Sequence, residues 1–177
     1  FATTELSKGM SKPTEVDWIK MKREVRYLKG APRCILTFPY QCAPGHLDVW
    51  VDSDFAGCEK TMRSTTGASM IIEGNFTLFL NAARSLRQGC VSNSTTEAEM
   101  VACHWTYRHI ILPTFEIWDA FLPAGWRIPF YEDNQAMCKV VQSGRNPTMR
   151  HLARTQGVNV SWLHDLYLKK VFGVVYS

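Results

Sequence analysis

Three acids stand where a fold can bring distant side chains together. Asp52 closes a run in which Leu47, Val49 and Val51 alternate with Asp48 and Trp50, the period of a strand. Glu99 lies early in a helical stretch that begins at Thr95, and Asp133 follows a short apolar run from Arg127 to Tyr131. Strand ends and helix starts of one sheet can converge, and carboxylates gathered there repel one another unless a cation lies between them. Magnesium, hard and oxygen-seeking, suits such a group. Two ions of this kind can activate a water and stabilise the leaving oxygen of a phosphodiester. Taken singly, each acid reads as well as a solvated strand end or a helix-terminal charge. Asp52 and Asp54 share one side of the strand, so spacing does not choose between them. Glu97 and Glu99 are about 200° apart on a helix, so only one of them faces a given site.

The elements that must position these acids follow from periodicity and turn residues. Residues 13–29 predict a helix, with Pro13 in its first turn, Val16, Ile19, Val25 and Leu28 as an apolar stripe and Gly30 at its end. Pro32, Pro39 and Pro44-Gly45 mark a connecting stretch. Three strands follow: one from Leu47 to Asp52, one from Gly67 to Gly74, and one from Phe76 to Leu80, the last two turning at Gly74-Asn75. Then come a helix from Thr95 to about His109 interrupted by Pro113, a helical piece from Phe115 to Phe121, and a strand from Arg127 to Tyr131. A helix from Asn134 to Gln142 stops at Gly144, another spans Thr155 to Lys170, and Val171 to Tyr176 is β-branched enough for a last strand. Trp50, Trp105, Trp118 and Trp162 occupy apolar positions and read as core. Consecutive strands followed by alternating helices and strands predict an α/β domain, a mixed sheet with helices on its faces.

Composition narrows the partners. Hydrophobic residues make up 46% of the 177, enough for a packed core and too many for wholesale disorder. The net charge of +4 is concentrated: residues 1–33 carry eight Lys/Arg against four Asp/Glu, and the rest balance at twelve each. A basic leading segment suits a polyanion as readily as solvent. The six cysteines include no C-x-x-C pair, which argues against a zinc site, and reduced thiols are the default. No apolar run reaches bilayer-spanning length, so no membrane partner is expected.

The wording around the acids goes further. Val51-Asp52-Ser53-Asp54-Phe55-Ala56-Gly57, Arg63-Ser64-Thr65-Thr66-Gly67, Ser94-Thr95-Thr96-Glu97-Ala98-Glu99-Met100-Val101-Ala102 and Glu132-Asp133-Asn134-Gln135 resemble, in order, the motifs of copia-type ribonuclease H domains. Ser11-Lys12-Pro13-Thr14 and Arg26-Tyr27-Leu28-Lys29-Gly30 resemble the tail of the reverse transcriptase that precedes such domains. The resemblance implies a ribonuclease H-like mixed five-stranded sheet flanked by helices over 46–177, after a reverse-transcriptase tail and linker over 1–45. It implies Asp52, Glu99 (rather than Glu97) and Asp133 as catalytic and metal-binding residues, with two Mg2+ ions, or Mn2+. The implied reaction is hydrolysis of the RNA strand of an RNA–DNA hybrid, alongside the polymerase domain of the same polyprotein, inside a cytoplasmic retrotransposon particle. Ser94, Thr95 and Asn134, polar and next to the acids, are candidates for contacts to 2′-hydroxyls, with caps or turns as the plain reading. Arg145, Arg150 and Arg154, with His151, are candidates for the hybrid's phosphates, with a solvated basic loop as the alternative. Arg63 and Arg87 are weaker candidates of the same kind.

Two departures from the family pattern qualify this. After Arg154-Thr155 many members continue Lys-His-Ile-Asp, where this sequence has Gln156-Gly157-Val158-Asn159. The family's fourth acid lies in an Ala-Asp pair on a helix after the final strand, and these residues end at Ser177 before it, with Asp165 on an earlier helix. The expected fold therefore lacks the last helix, and the expected activity is slow or absent, recovering when downstream sequence is restored. A non-catalytic remnant that binds nucleic acid or packs against a polymerase is the competing reading. Another nuclease of the same superfold, an integrase or resolvase, is disfavoured by the helix motif and the lead-in.

Overall fold

A computed structural model describes residues 2–33 and 35–177. Its backbone divides into two units, residues 1–37 and 38–177. The first holds helix α1 (Ala2–Ser7) and helix α2 (Glu15–Gly30). The start of α2 is set by a capping box: Thr14 Oγ1 accepts from the Asp17 N–H while the Asp17 carboxylate accepts from the Thr14 N–H. Pro13 therefore stands before the cap rather than in the first turn. The stripe of Val16, Ile19, Val25 and Leu28 is present as spacing, yet all four side chains are exposed.

In the second unit a single sheet organises everything. Its strands are β1 (Asp48–Asp54), β2 (Thr65–Glu73), β3 (Leu78–Arg87), β4 (Pro129–Glu132) and β5 (Gly173–Tyr176), in the spatial order β3-β2-β1-β4-β5. β1, β2 and β3 form an antiparallel meander, whereas β4 joins β1 in parallel and β5 joins β4 in parallel. This is the mixed five-stranded sheet predicted above. Helix α3 (Thr95–Thr106) packs on β1 and β2, and helix α5 (Gln135–Ser143) packs on α3, on β5 and on helix α7 (Val160–Leu168). Helices α4 (Phe115–Phe121) and α6 (Leu152–Thr155) complete the set. The core lies between sheet and helices, where Val49, Met70, Met100, Tyr107, Phe130 and Leu163 are buried.

Several elements differ from the sequence-based expectation, each for a local reason. β3 runs seven residues past Leu80, to Arg87. It is an edge strand with most of its side chains in water, so it shows no apolar alternation after Leu80. The helix expected over 155–170 starts later, as α7 at Val160, after a break that follows α6. Gly157 takes a left-handed φ of +66°, and Asn159 caps α7 by accepting from the Trp162 N–H. The long helix from Thr95 ends in a π-turn over Tyr107–Ile111 and a 3-10 turn over Leu112–Thr114. Pro113, which has no N–H to give, ends the regular ladder there. Trp50 is not core: it is 44% exposed and stacks on Tyr131, with ring centroids 4.2 Å apart, on the sheet face opposite α3.

Candidate active site

The parallel register of β1 and β4 builds the first half of the site. Trp50 pairs with Tyr131 across the two strands. Two residues further on, on the same side, Asp52 and Asp133 therefore stand beside each other at the carboxyl ends of parallel strands. The third acid comes from α3. Ser94 caps that helix, its Oγ accepting from the Glu97 N–H at 3.2 Å, and Glu99 follows on the turn that faces β1. The Glu99 Oε1 accepts from the Ser53 N–H at 3.1 Å, which draws the carboxylate to the strand. One carboxylate oxygen from each of Asp52, Glu99 and Asp133 lies within 4.8 Å of the other two. Asp52 and Asp133 are exposed and Glu99 is buried, so the group opens to solvent on one side. A cleft of about 390 Å³ lined by Trp50, Asp52, Gly67, Tyr131 and Asp133 runs beside it.

Asp52 and Glu99, not Asp54 and Glu97, join Asp133 in the acid group. Asp54 turns against the following loop, where Gly57 approaches so closely that a Cβ there would lie 1.8 Å from Asp54 Oδ2. Glu97 faces away from Asp52, bonded instead to His151 and Gln156.

Electrostatics at the group favour a cation. Burial, then the charges of Glu132, Asp52 and Asp133, push Glu99 up to about 9, against the opposing Ser53 N–H. Glu99 Oε2 is buried with no hydrogen-bond partner. A sequence reading centred on Asp133 passed over Glu132, which is 1% exposed and raised to about 7 by burial, with Asp133 and Asp52 adding to it. Its Oε1 accepts from the Asn134 N–H at 3.1 Å while its Oε2 has no partner. The signal for it was strand alternation: Phe130 and Glu132 share the buried side of β4. Unpaired buried carboxylate oxygens beside two exposed carboxylates are a donor set that fits a hard divalent ion.

The remaining candidates fall at two places. Ser94, Thr95 and Asn134 lie at the amino ends of α3 and α5, and Thr96 Oγ1 and Asn134 Oδ1 are 3.5 Å apart. Ser94 and Asn134 are both N-caps, the plain reading for each. Arg150 and Arg154 flank His151, whose ring nitrogen Nε2 is 3.3 Å from Glu97 Oε1, so they stand by the same end of α3. Arg145 lies beyond Gly144, past the carboxyl end of α5 and so at the opposite end of that helix from Asn134. Asp165 is on α7 and outside the acid group.

No family model matches the chain. It is 32% identical over 117 residues to an uncharacterized mitochondrial protein of Arabidopsis thaliana; the matched stretch is 66% of this chain and 44% of that protein. The chain thus spans less than half the length of that relative. Among solved structures it is similar to LC11-RNase H1, isolated from compost by a metagenomic approach, with a TM-score of 0.52 and 10% identity, covering 76% of this chain and 85% of that one. At such identity the likeness is one of fold. The chain has the ribonuclease H-like fold, as its motifs led us to expect.

Proposed function

We propose that this chain is the ribonuclease H region of a copia-type retrotransposon polyprotein, an endonuclease that hydrolyses the RNA strand of RNA–DNA hybrids with Mg2+ or Mn2+. The observation that carries the reading is the meeting of Asp52, Glu99 and Asp133 within 4.8 Å at the strand ends of this fold. Bound there, divalent ions would supply Lewis acidity, lowering the pKa of water and offsetting the charge of the scissile phosphate.

The protein's own residues supply the placement. The Ser53 N–H aims Glu99, and the Glu132 carboxylate fixes the Asn134 backbone one residue past Asp133. Capping occupies the acceptor oxygens of Ser94 and Asn134, which leaves the Ser94 hydroxyl proton and the Asn134 amide group to donate to 2′-hydroxyls. Arg145, Arg150 and Arg154 bind the hybrid's phosphates without regard to sequence. Residues 1–45 are the tail of the neighbouring polymerase domain and its linker. The whole works in a cytoplasmic particle where reverse transcription makes the hybrid; among the described residues no helix is long and apolar enough to cross a membrane.

A hybrid labelled on either strand tests this. With Mg2+ or Mn2+ present, only the RNA strand should shorten, and the same RNA paired to RNA or left single-stranded should survive. Cleavage of the DNA strand, or of all three RNA substrates alike, would contradict the reading.

A further inference from the structure

Glu97 is 3% exposed, on the helix that carries Glu99 but turned the other way. Its carboxylate gathers three side chains. Gln156 Nε2 donates to Oε1 at 2.9 Å, His151 Nε2 lies 3.3 Å from the same oxygen, and Asn93 Nδ2 donates to Oε2 at 3.4 Å. Gln156 also donates to Ser92 Oγ, and Asn93 Nδ2 lies 3.5 Å from His151. Burying a carboxylate is costly unless donors surround it, and two of these donors come from a segment more than fifty residues downstream. His151 and Gln156 bracket α6, so Glu97 holds both ends of that short helix against α3. Arg150 and Arg154 stand on this pinned segment with exposed side chains and, among the described residues, form no ion pair. Residues 144–159 contain three arginines, one histidine and no acid.

We propose that Glu97 is a positioning residue for the nucleic acid: by holding His151 and Gln156 it fixes Arg150 and Arg154 at the amino end of α3, where they grip backbone phosphates. This rests on the hybrid-binding reading above and deepens it. A buried acid thereby strengthens binding to a polyanion, the reverse of what its charge alone would do. Simple electrostatics predicts that removing an acid near a nucleic-acid surface tightens binding.

The test is hybrid affinity against salt concentration, by fluorescence anisotropy on the full chain. Glu97→Ala should weaken binding roughly tenfold and flatten the plot of log affinity against log salt by about one to two, the signature of lost phosphate contacts. Arg150→Ala with Arg154→Ala should do the same, and adding Glu97→Ala to that pair should change little. Glu97→Gln, which keeps an acceptor oxygen, should restore most of the affinity. The paired change His151→Ala with Gln156→Ala loosens the contact from the other side and should match Glu97→Ala, so the conclusion does not hang on one variant folding. Unchanged or tighter binding in Glu97→Ala, in a variant whose melting is cooperative, overturns the proposal and leaves the ribonuclease H reading intact. A parent chain with no affinity for hybrid overturns both.

Discussion

Burial and neighbouring carboxylates raise Glu99 to about 9, so at neutral pH a cation-free site holds this group protonated and a bound divalent ion ionises it. Mg2+ or Mn2+ should therefore raise the melting temperature by several degrees at concentrations far above its dissociation constant, since an ion at about 100 times that constant adds roughly 2.7 kcal/mol. Asp133→Asn should abolish this shift in differential scanning fluorimetry, and a shift of full size in that variant would mean the ion binds elsewhere. His104, also on α3, titrates in the opposite sense: burial, then the charges of Arg108 and His109, lower it to about 4. The unfolded chain takes up this proton first, near pH 6.5. The stability that neutral His104 contributes is thus present above pH 6.5 and is lost as pH falls towards 4, on the order of 3 kcal/mol in all. Urea unfolding across that range should show the loss in the parent chain and a flatter profile in His104→Gln. Equal pH dependence in the two would place the titrating group elsewhere.

The elements that carry the acids were the legible ones. β1 alternates cleanly because one of its faces meets α3, and the strand β4, short as it is, announces itself by ending on Glu132-Asp133. α5 was bounded by Asn134 and Gly144, an N-cap and a left-handed C-cap that sequence alone can name. What stayed hidden depended on partners far along the chain. β3 is long only because β2 pairs with it throughout, across a register shift between Met70 and Ile71. The role of Glu97 depends on residues 151 and 156, which no local pattern relates to it. Spacing does not choose between Asp52 and Asp54, and it is Asp52 that the fold brings to Glu99 and Asp133. Gly144 combines two constraints, a φ of +69° and the His164 ring, which a Cβ would meet at 2.5 Å. Gly144→Ala should cost about 1–3 kcal/mol in urea unfolding. A neutral outcome would mean that the α5–α7 contact gives way easily.

At the scale of the molecule, residues 1–37 and 38–177 are separate units, and within 31–45 the described residues belong to no helix or strand. Every acid and basic candidate of the site lies in the second. A chain of residues 38–177 should keep its melting temperature to within a few degrees and retain hybrid binding; a loss of cooperative melting would show that the leading helices are part of the domain. The leading unit presents an apolar stripe on α2 and carries the chain's net positive charge. The central claim, that Asp52, Glu99 and Asp133 act as one cation-dependent hydrolytic centre, is tested most directly by the rate of RNA-strand cleavage against Mn2+ concentration. The parent chain should be inert in EDTA and show a saturable rise with metal. Asp52→Asn, Glu99→Gln and Asp133→Asn should each fall on the order of 100-fold or more at every concentration. Cleavage that persists in EDTA, or that survives in any of the three variants at the parent rate, would contradict the account.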